Sequence, residues 1–315
     1  MTTRRIILAG GSGFLGSLLR EYYSGLGVEV VILSRTRVDS MAFCLTVHWD
    51  ALKRGPWIRE LEGAHAVINL TGQSVNCRYN SGNRQMILDS RMESTRLIGE
   101  AICECRRPPP VWLNASTATI YQHTFGPGWD ESGVCGSDPE ANDQFSVEVA
   151  QAWEAAVDAF TTPKTRKVKL RMAMVMGLGS NSVFPMLRRL ARCGLGGKMG
   201  DGRQFVSWIH QDDLCRCVDF LVDRSELNGV VNVAAPHPLT NADMMAEIRT
   251  AIGMPFSFSH PNWVLELGAW ALRTETELIL KSRRVVPGKL LEAGFGFRFT
   301  HLSEAIADLL QRERA

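Results

Sequence analysis

Short apolar runs alternate with helix-period segments along the first half of the chain. Ile6–Ala9, Val28–Leu33, Ala66–Leu70, Val111–Ala115 and Val168–Met176 read as buried strands, and helices are predicted between them at about 14–25, 82–104 and 144–160. Such alternation joins strands through right-handed crossovers, so the pattern predicts an α/β fold: a doubly wound parallel sheet with helices on both faces. Beyond Met176 the rhythm loosens. The glycines of "GLGSNSVFPMLRRLARCGLGGKMGDGRQ" punctuate a helix and a loop; "FVSWIHQDDLCRCVDFLV" then reads as strand and helix, and "GVVNVAAP" as a strand returning to the sheet. From Thr240 the pattern is mostly helical, with Thr240 and Asp243 spaced as an N-cap and its third-position partner. The expected organisation is a nucleotide-binding domain over 1–177, rejoined by 205–236, and a smaller, mostly helical C-terminal lobe built from 178–204 and 237–315. A ligand is expected in the cleft between them.

Composition changes this picture little. A chain of 315 residues, 45% hydrophobic, is long enough to bury roughly three quarters of its unfolded surface. The net charge of +2 is scattered, and its tightest basic cluster, Lys164, Arg166, Lys167 and Lys169, borders a strand as a solvated loop; no nucleic-acid partner is expected. No apolar stretch reaches membrane-spanning length, so no membrane partner is expected either. The eight cysteines show no metal or redox spacing: the pairs Cys103/Cys105 and Cys215/Cys217 point apart on a helix. Reduced, buried thiols and no bound metal are expected. With a first strand at about Arg5 leaving no room for a leader, cytoplasmic placement is the expectation, as a monomer or homodimer.

The chemistry starts at "AGGSGFLG". Gly10, Gly13 and Gly16 follow a strand and open a helix at G-x-x-G-x-x-G spacing. That arrangement supplies a tight turn, backbone approach to a pyrophosphate and close helix packing on the strand. The amides of Ser12, Gly13, Phe14 and Leu15 then face the phosphates, aided by the helix dipole. The second strand ends "LSRTRV", with Ser34 and Arg35 and no acid before Asp39. An acid there grips a ribose 2′-hydroxyl, whereas a guanidinium suits a 2′-phosphate, so NADP(H) is the cofactor expected.

These glycines, "NLTG" at 69–72, "NASTATIY" at 114–121 and "WIHQDDL" at 208–214 resemble the extended short-chain dehydrogenase/reductase superfamily. More narrowly, "SR" at 90–91, "LTNADM" and the ending "RRVVPGKLLEAGFGFRF" resemble an atypical, epimerase-like branch, often labelled cell-division inhibitors, with a C-terminal domain of unknown function. The resemblance implies a Rossmann domain holding NADP(H), a small C-terminal lobe and an unsettled small-molecule substrate. It places Ser34 and Arg35 at the adenosine 2′-phosphate, Leu70 and Thr71 where the fourth strand passes the cofactor, and Arg91 reaching back to the cofactor from the next helix. Residues alone favour reading Arg91 as a solvated helix-surface charge.

The resemblance also aligns Thr117 with the hydroxyl that polarises a substrate carbonyl; packing alone allows a strand-end threonine bonded to backbone. The superfamily's tyrosine, with a lysine four residues on, is missing. "NDQFSVEVAQAWEAAV" carries Phe145 at about the phenol's place and no lysine. Tyr121 is the candidate substitute acid, although it shows no charge partner and reads better as a hydrogen-bonded or packed tyrosine. Where sugar-nucleotide epimerases place a diphosphate-gripping arginine, this chain has Val206. Arg203 and Trp208 are the candidate substrate contacts, and His210 is expected to fix a strand-to-helix corner. Two function classes follow. One is an NADP(H)-dependent oxidoreductase with a nonstandard proton donor, and the other is an NADP(H)-binding regulatory or sensor protein whose active site has lapsed. A cell-division scaffold rests on the branch's label alone.

Overall fold

The computed structural model describes residues 4–179, 181–254, 256–258 and 281–314. Its main sheet is seven-stranded, parallel throughout, in the order β3-β2-β1-β4-β5-β6-β10: β1 (Arg5–Ala9), β2 (Glu29–Ser34), β3 (Cys44–His48), β4 (Ala66–Asn69), β5 (Val111–Thr117), β6 (Arg166–Met172) and β10 (Gly229–Val233). Strand order reverses between β1 and β4. The carboxyl ends of these two strands therefore flank the crevice in which such sheets bind ligands.

Helices α1 (Phe14–Gly25) and α5 (Gln211–Asp223) cover one face, and α2 (Ser81–Glu104) and α3 (Gln144–Asp158) the other. Along β1 the side chains alternate between the two cores: Ile6 and Leu8 pack with Leu19, Tyr23 and Leu214, while Ile7 and Ala9 pack with Leu97, Ile98 and Val157. Burial on both faces explains the continuous apolar runs of the sequence.

Two expectations are corrected. The run 168–176 is not one strand. β6 ends at Met172 and β7 (Met174–Met176) leaves the main sheet to pair with β9 (Trp208–His210). Strand β3 is an addition that the apolar pattern did not reveal, because as an edge strand it buries few side chains; Leu45 is 51% exposed.

A further core joins α4 (Val183–Arg192), α6 (Asn241–Ala251) and α8 (Leu302–Arg314) around Phe184, Leu187, Met245, Ile248 and Ile306. Thr240 caps α6 as its spacing predicts, accepting the Asp243 amide at 3.2 Å. His210 caps α5, its Nδ1 accepting the Asp212 amide at 3.2 Å, as expected of a strand-to-helix corner. Between the short β8 (Phe205–Val206), which pairs with β11 (Leu239–Thr240), and α7 (Gly288–Glu292), residues 281–286 run as a strap stitched to the loop after β5. Ser282 N donates to His123 Nδ1, Trp129 N to Arg284 O and Val285 N to Ser207 Oγ.

Among the described residues no helix is long and apolar enough to cross a membrane, and no cluster of His, Cys, Asp or Glu could hold a metal. All eight cysteines are free thiols. The expectation that they are buried holds for Cys215 and Cys217, whose burial pushes both thiols up; Cys103 and Cys193 are exposed.

Candidate functional site

The glycine turn sits at the carboxyl end of β1. Gly10 adopts φ 77°, the left-handed region, and a Cβ on it would lie 3.0 Å from the Leu70 carbonyl carbon and the Thr71 nitrogen. Gly16 packs differently from expectation: its missing Cβ would fall 2.5 Å from the Cα of Gly11, so helix α1 closes onto the turn itself rather than onto the strand. Gly11, which the spacing argument passed over, is thus part of the motif. A Cβ at Gly13, the N-cap of α1, would meet nothing nearer than Gly10 O at 3.7 Å, leaving open space in front of a helix N-terminus without acidic residues in its first turn. That is the cradle an anionic pyrophosphate requires. Beside it the Thr71 hydroxyl is buried without a hydrogen-bond partner among the described residues, while Thr71 N donates to Asn69 Oδ1 at 3.1 Å. At the end of β2, Ser34 is buried and accepts the Thr36 amide at 3.2 Å, and Arg35 is exposed.

The crevice continues as a cleft of about 300 Å³, lined by Leu15, Leu70, Arg91, Thr117, Phe145 and Trp153 among others. Behind Trp153, which lines it, lies a buried polar network. The parallel register sets Asn69 beside Asn114, whose Oδ1 accepts from Asn69 Nδ2 at 2.8 Å; Thr95 Oγ1 accepts from Trp153 Nε1 at 3.1 Å and contacts Asn69 Nδ2 at 3.4 Å. Behind the neighbouring wall Ser116 Oγ donates to Glu154, which forms a buried bidentate pair with Arg171 at 2.8 Å for each contact.

Arg91 is the single charged side chain among the described lining residues. Its guanidinium donates to Gln73 O and Ile87 O, lies 4.9 Å from the centre of the Trp153 ring, and is pushed down to about 10 by burial, so it stays charged at neutral pH. A cation held by carbonyls and an aromatic face, with no carboxylate partner among the described residues, is open to an anionic ligand. Thr117 also lines the cleft. Its Oγ1 lies 3.1 Å from Thr119 Oγ1 and accepts the Thr119 amide at 3.2 Å.

The family model of the NAD dependent epimerase/dehydratase family matches residues 6–234, and a domain of unknown function, DUF1731, matches 260–309. The mouse epimerase family protein SDR39U1 is 30% identical over 312 residues, covering 97% of this chain and 99% of its own. The epimerase family protein YfhF of Bacillus subtilis is 28% identical over 306 residues, covering 97% of each chain. The crystal structure of human SDR39U1 with NADPH superposes with a TM-score of 0.83 at 27% identity, over 98% of this chain and 99% of that one. The chain belongs to the NAD dependent epimerase/dehydratase family.

Within this family member, three positions expected in the site lie elsewhere. Tyr121 is 2% exposed, its hydroxyl donates to Asn232 Oδ1 at 2.8 Å, and burial pushes its phenol up to about 12; it does not line the cleft. Trp208 is fully buried in the core of α4, α6 and α8, its Nε1 bonded to His237 O at 3.1 Å, because a bulky aromatic on a short strand is accommodated by packing against those helices. Arg203 is exposed outside the cleft lining, over the Phe125 ring at 5.5 Å. Phe145 does line the cleft, edge-on to Tyr79 with ring centres 4.9 Å apart. Tyr79, from the loop before α2, is the lining aromatic that sequence reading missed; nothing in its local pattern marks it, since a fold contact brings it there.

Proposed function

We propose that this protein is an NADP(H)-dependent oxidoreductase acting on a small carbonyl or hydroxyl substrate. The observation that carries it is the open cradle at Gly13 running into a cleft that joins Arg91 to Thr117. In this reading the amides of Ser12 to Leu15 hold the pyrophosphate. Leu70 and Thr71 flank the dinucleotide, the unspent Thr71 hydroxyl serves it, and Arg91 supplies the counter-charge. Ser34 and Arg35 take the 2′-phosphate; the human relative holding NADPH supports that choice. The bound dinucleotide supplies or accepts a hydride, and Thr117 Oγ1 polarises the substrate oxygen. Val206, half-buried and paired with Leu239, offers no charge to a sugar diphosphate, which distinguishes this chain from a sugar-nucleotide epimerase. Phe145 favours one second reading, a protein that binds NADP(H) without turnover.

Replacing Arg35 by Ala separates the cofactors. Each charge-assisted contact to the 2′-phosphate is worth about 1.5–3 kcal/mol, so NADPH affinity should fall roughly tenfold to a hundredfold while NADH affinity stays nearly unchanged. Equal losses for both nucleotides in a fluorescence titration remove the 2′-phosphate assignment. Thr117→Ala, assayed over a panel of carbonyl compounds, tests turnover. Tight NADPH binding with no turnover by either form selects the second reading.

A further inference from the structure

We propose that the substrate is a flat, electron-poor carbonyl compound of the quinone class, whose reduced oxygen takes its proton from water rather than from the protein. The inference rests on the oxidoreductase reading above and deepens it.

The first observation is the character of the wall. Besides Thr117, the cleft lining includes Val75, Tyr79, Phe145 and Val149, and its one charged residue among those described, Arg91, lies against Gly72. The Tyr79 and Phe145 rings come from different elements and meet edge to face, presenting aromatic surface that suits a planar ring more than a hydroxylated sugar. A cleft of about 300 Å³ that also receives the reacting end of a dinucleotide leaves room for a small ligand.

The second observation is the proton. Phe145 stands where the superfamily resemblance places the phenol, and α3 carries neither tyrosine nor lysine. Tyr79 turns its ring to the cleft but its hydroxyl oxygen has no solvent-accessible surface. Tyr121 is buried against Asn232. Lys281 is 1% exposed behind the wall, paired with Asp143 and donating to Thr119 O at 2.6 Å. What remains on the described cleft wall is a set of hydroxyls, including Thr117, Thr119 and Ser146, which polarise an oxygen but are poor acids.

The demand for an acid depends on the oxyanion that forms. Hydride addition to a simple ketone leaves an alkoxide nearly as basic as hydroxide, whose conjugate acid has a pKa close to that of water, about 15.7. Reduction of a quinone leaves a phenolic oxyanion, with a conjugate-acid pKa of about 10. In the balanced step, quinone, NADPH and one proton give hydroquinone and NADP⁺: the hydride, carrying two electrons, forms an O–H bond at one quinone oxygen, the ring becomes aromatic, the π pair of the opposite carbonyl moves onto its oxygen beside Thr117 Oγ1 as a phenolate, and that oxyanion then takes its proton from water. No protein group need change its protonation state.

The test uses the full chain with its two exposed thiols removed, Cys103→Ser with Cys193→Ser, since quinones alkylate exposed thiols. With NADPH, 1,4-naphthoquinone should be reduced with kcat/KM about a hundredfold or more above that for the fused-ring ketone 1-tetralone. Its kcat should stay flat from about pH 6 to about pH 9, with a solvent deuterium effect near unity, as expected without a titrating protein acid. With NADP⁺ bound, naphthoquinone should quench tryptophan emission saturably, and Trp153→Phe should remove most of that signal. If NADPH binds and 1-tetralone is reduced at least as well, or if naphthoquinone turnover follows one titrating group in that pH range, the quinone assignment is overturned and the oxidoreductase reading stands. If NADPH binds and neither compound is reduced or quenches, the quinone assignment is overturned and the carbonyl panel decides the oxidoreductase reading. If NADPH does not bind, the oxidoreductase reading fails first and takes this assignment with it.

Discussion

Glu154→Ala is expected to lower the free energy of unfolding by about 3–5 kcal/mol, the cost of leaving a buried charge without its partner. Arg171 on β6 is 6% exposed and Glu154 on α3 is 7% exposed, and both guanidinium contacts are 2.8 Å long. Burial alone lowers the pKa of this guanidinium, and the hydrogen bonds and charge of Glu154 more than reverse it. Truncation also strands Ser116 Oγ, which donates to the same carboxylate at 2.7 Å. The pair therefore ties α3, β5 and β6 together directly behind Thr117. Equilibrium urea unfolding measures the loss through the midpoint at constant slope. Glu154→Leu combined with Arg171→Met should recover much of it, because an apolar pair leaves no charge to compensate. A loss below about 1 kcal/mol in the single variant means that water reaches Arg171 and that the wall is not held by this pair.

The same network shows why the sequence told so much of the fold and so little of the site. β1, α1 and β2 are legible because each is buried on a defined face, and periodicity reports burial directly. The glycine turn is legible because its constraints are local: Gly10 needs its backbone angle and Gly16 its close approach within a few residues. Edge strand β3 lacks that signal, and the bend at Ala173, where its amide bonds to Val233 O before β7 departs, depends on a partner strand far along the chain. The Asn residues of "NLTG" and "NASTATIY" stand out as motif letters, yet their pairing appears only when β4 and β5 take their register. Trp208 and Tyr121 look like cleft residues in a one-dimensional reading because both follow or form strand ends. In three dimensions one fills the core of α4, α6 and α8 and the other bonds to Asn232. Functional placement is set by contacts between distant residues, which hydrophobic period does not encode.

Lys281→Met carries the second large expected effect, and it connects the C-terminal strap to the cleft. The ammonium of Lys281 is buried against the carboxylate of Asp143, itself fully buried at the entry to α3, and donates to Thr119 O at 2.6 Å. Asp143 Oδ1 in turn accepts the Asp138 amide at 2.8 Å. One lysine from the strap thus holds both the segment after β5, with Thr119, and the first turn of α3, with Phe145 and Ser146. Removing it leaves the Asp143 carboxylate buried and unmatched, so a loss of about 3–5 kcal/mol is expected in urea unfolding. In a double-mutant cycle with Asp143→Asn, the combined variant should be more stable than the sum of the single losses by about 2 kcal/mol or more, since the second substitution removes the stranded charge. Additive losses mean that the two side chains act independently, and that the strap is held by its other contacts, among them those to His123, Thr124, Gly126, Trp129 and Ser207. NADPH affinity offers a separate readout: the glycine turn and Arg35 belong to β1, α1 and β2, so it should change by less than about threefold in Lys281→Met, a shift of under about 1 kcal/mol. A coupled pair with unchanged NADPH affinity assigns the strap to the substrate end of the cleft rather than to the dinucleotide end.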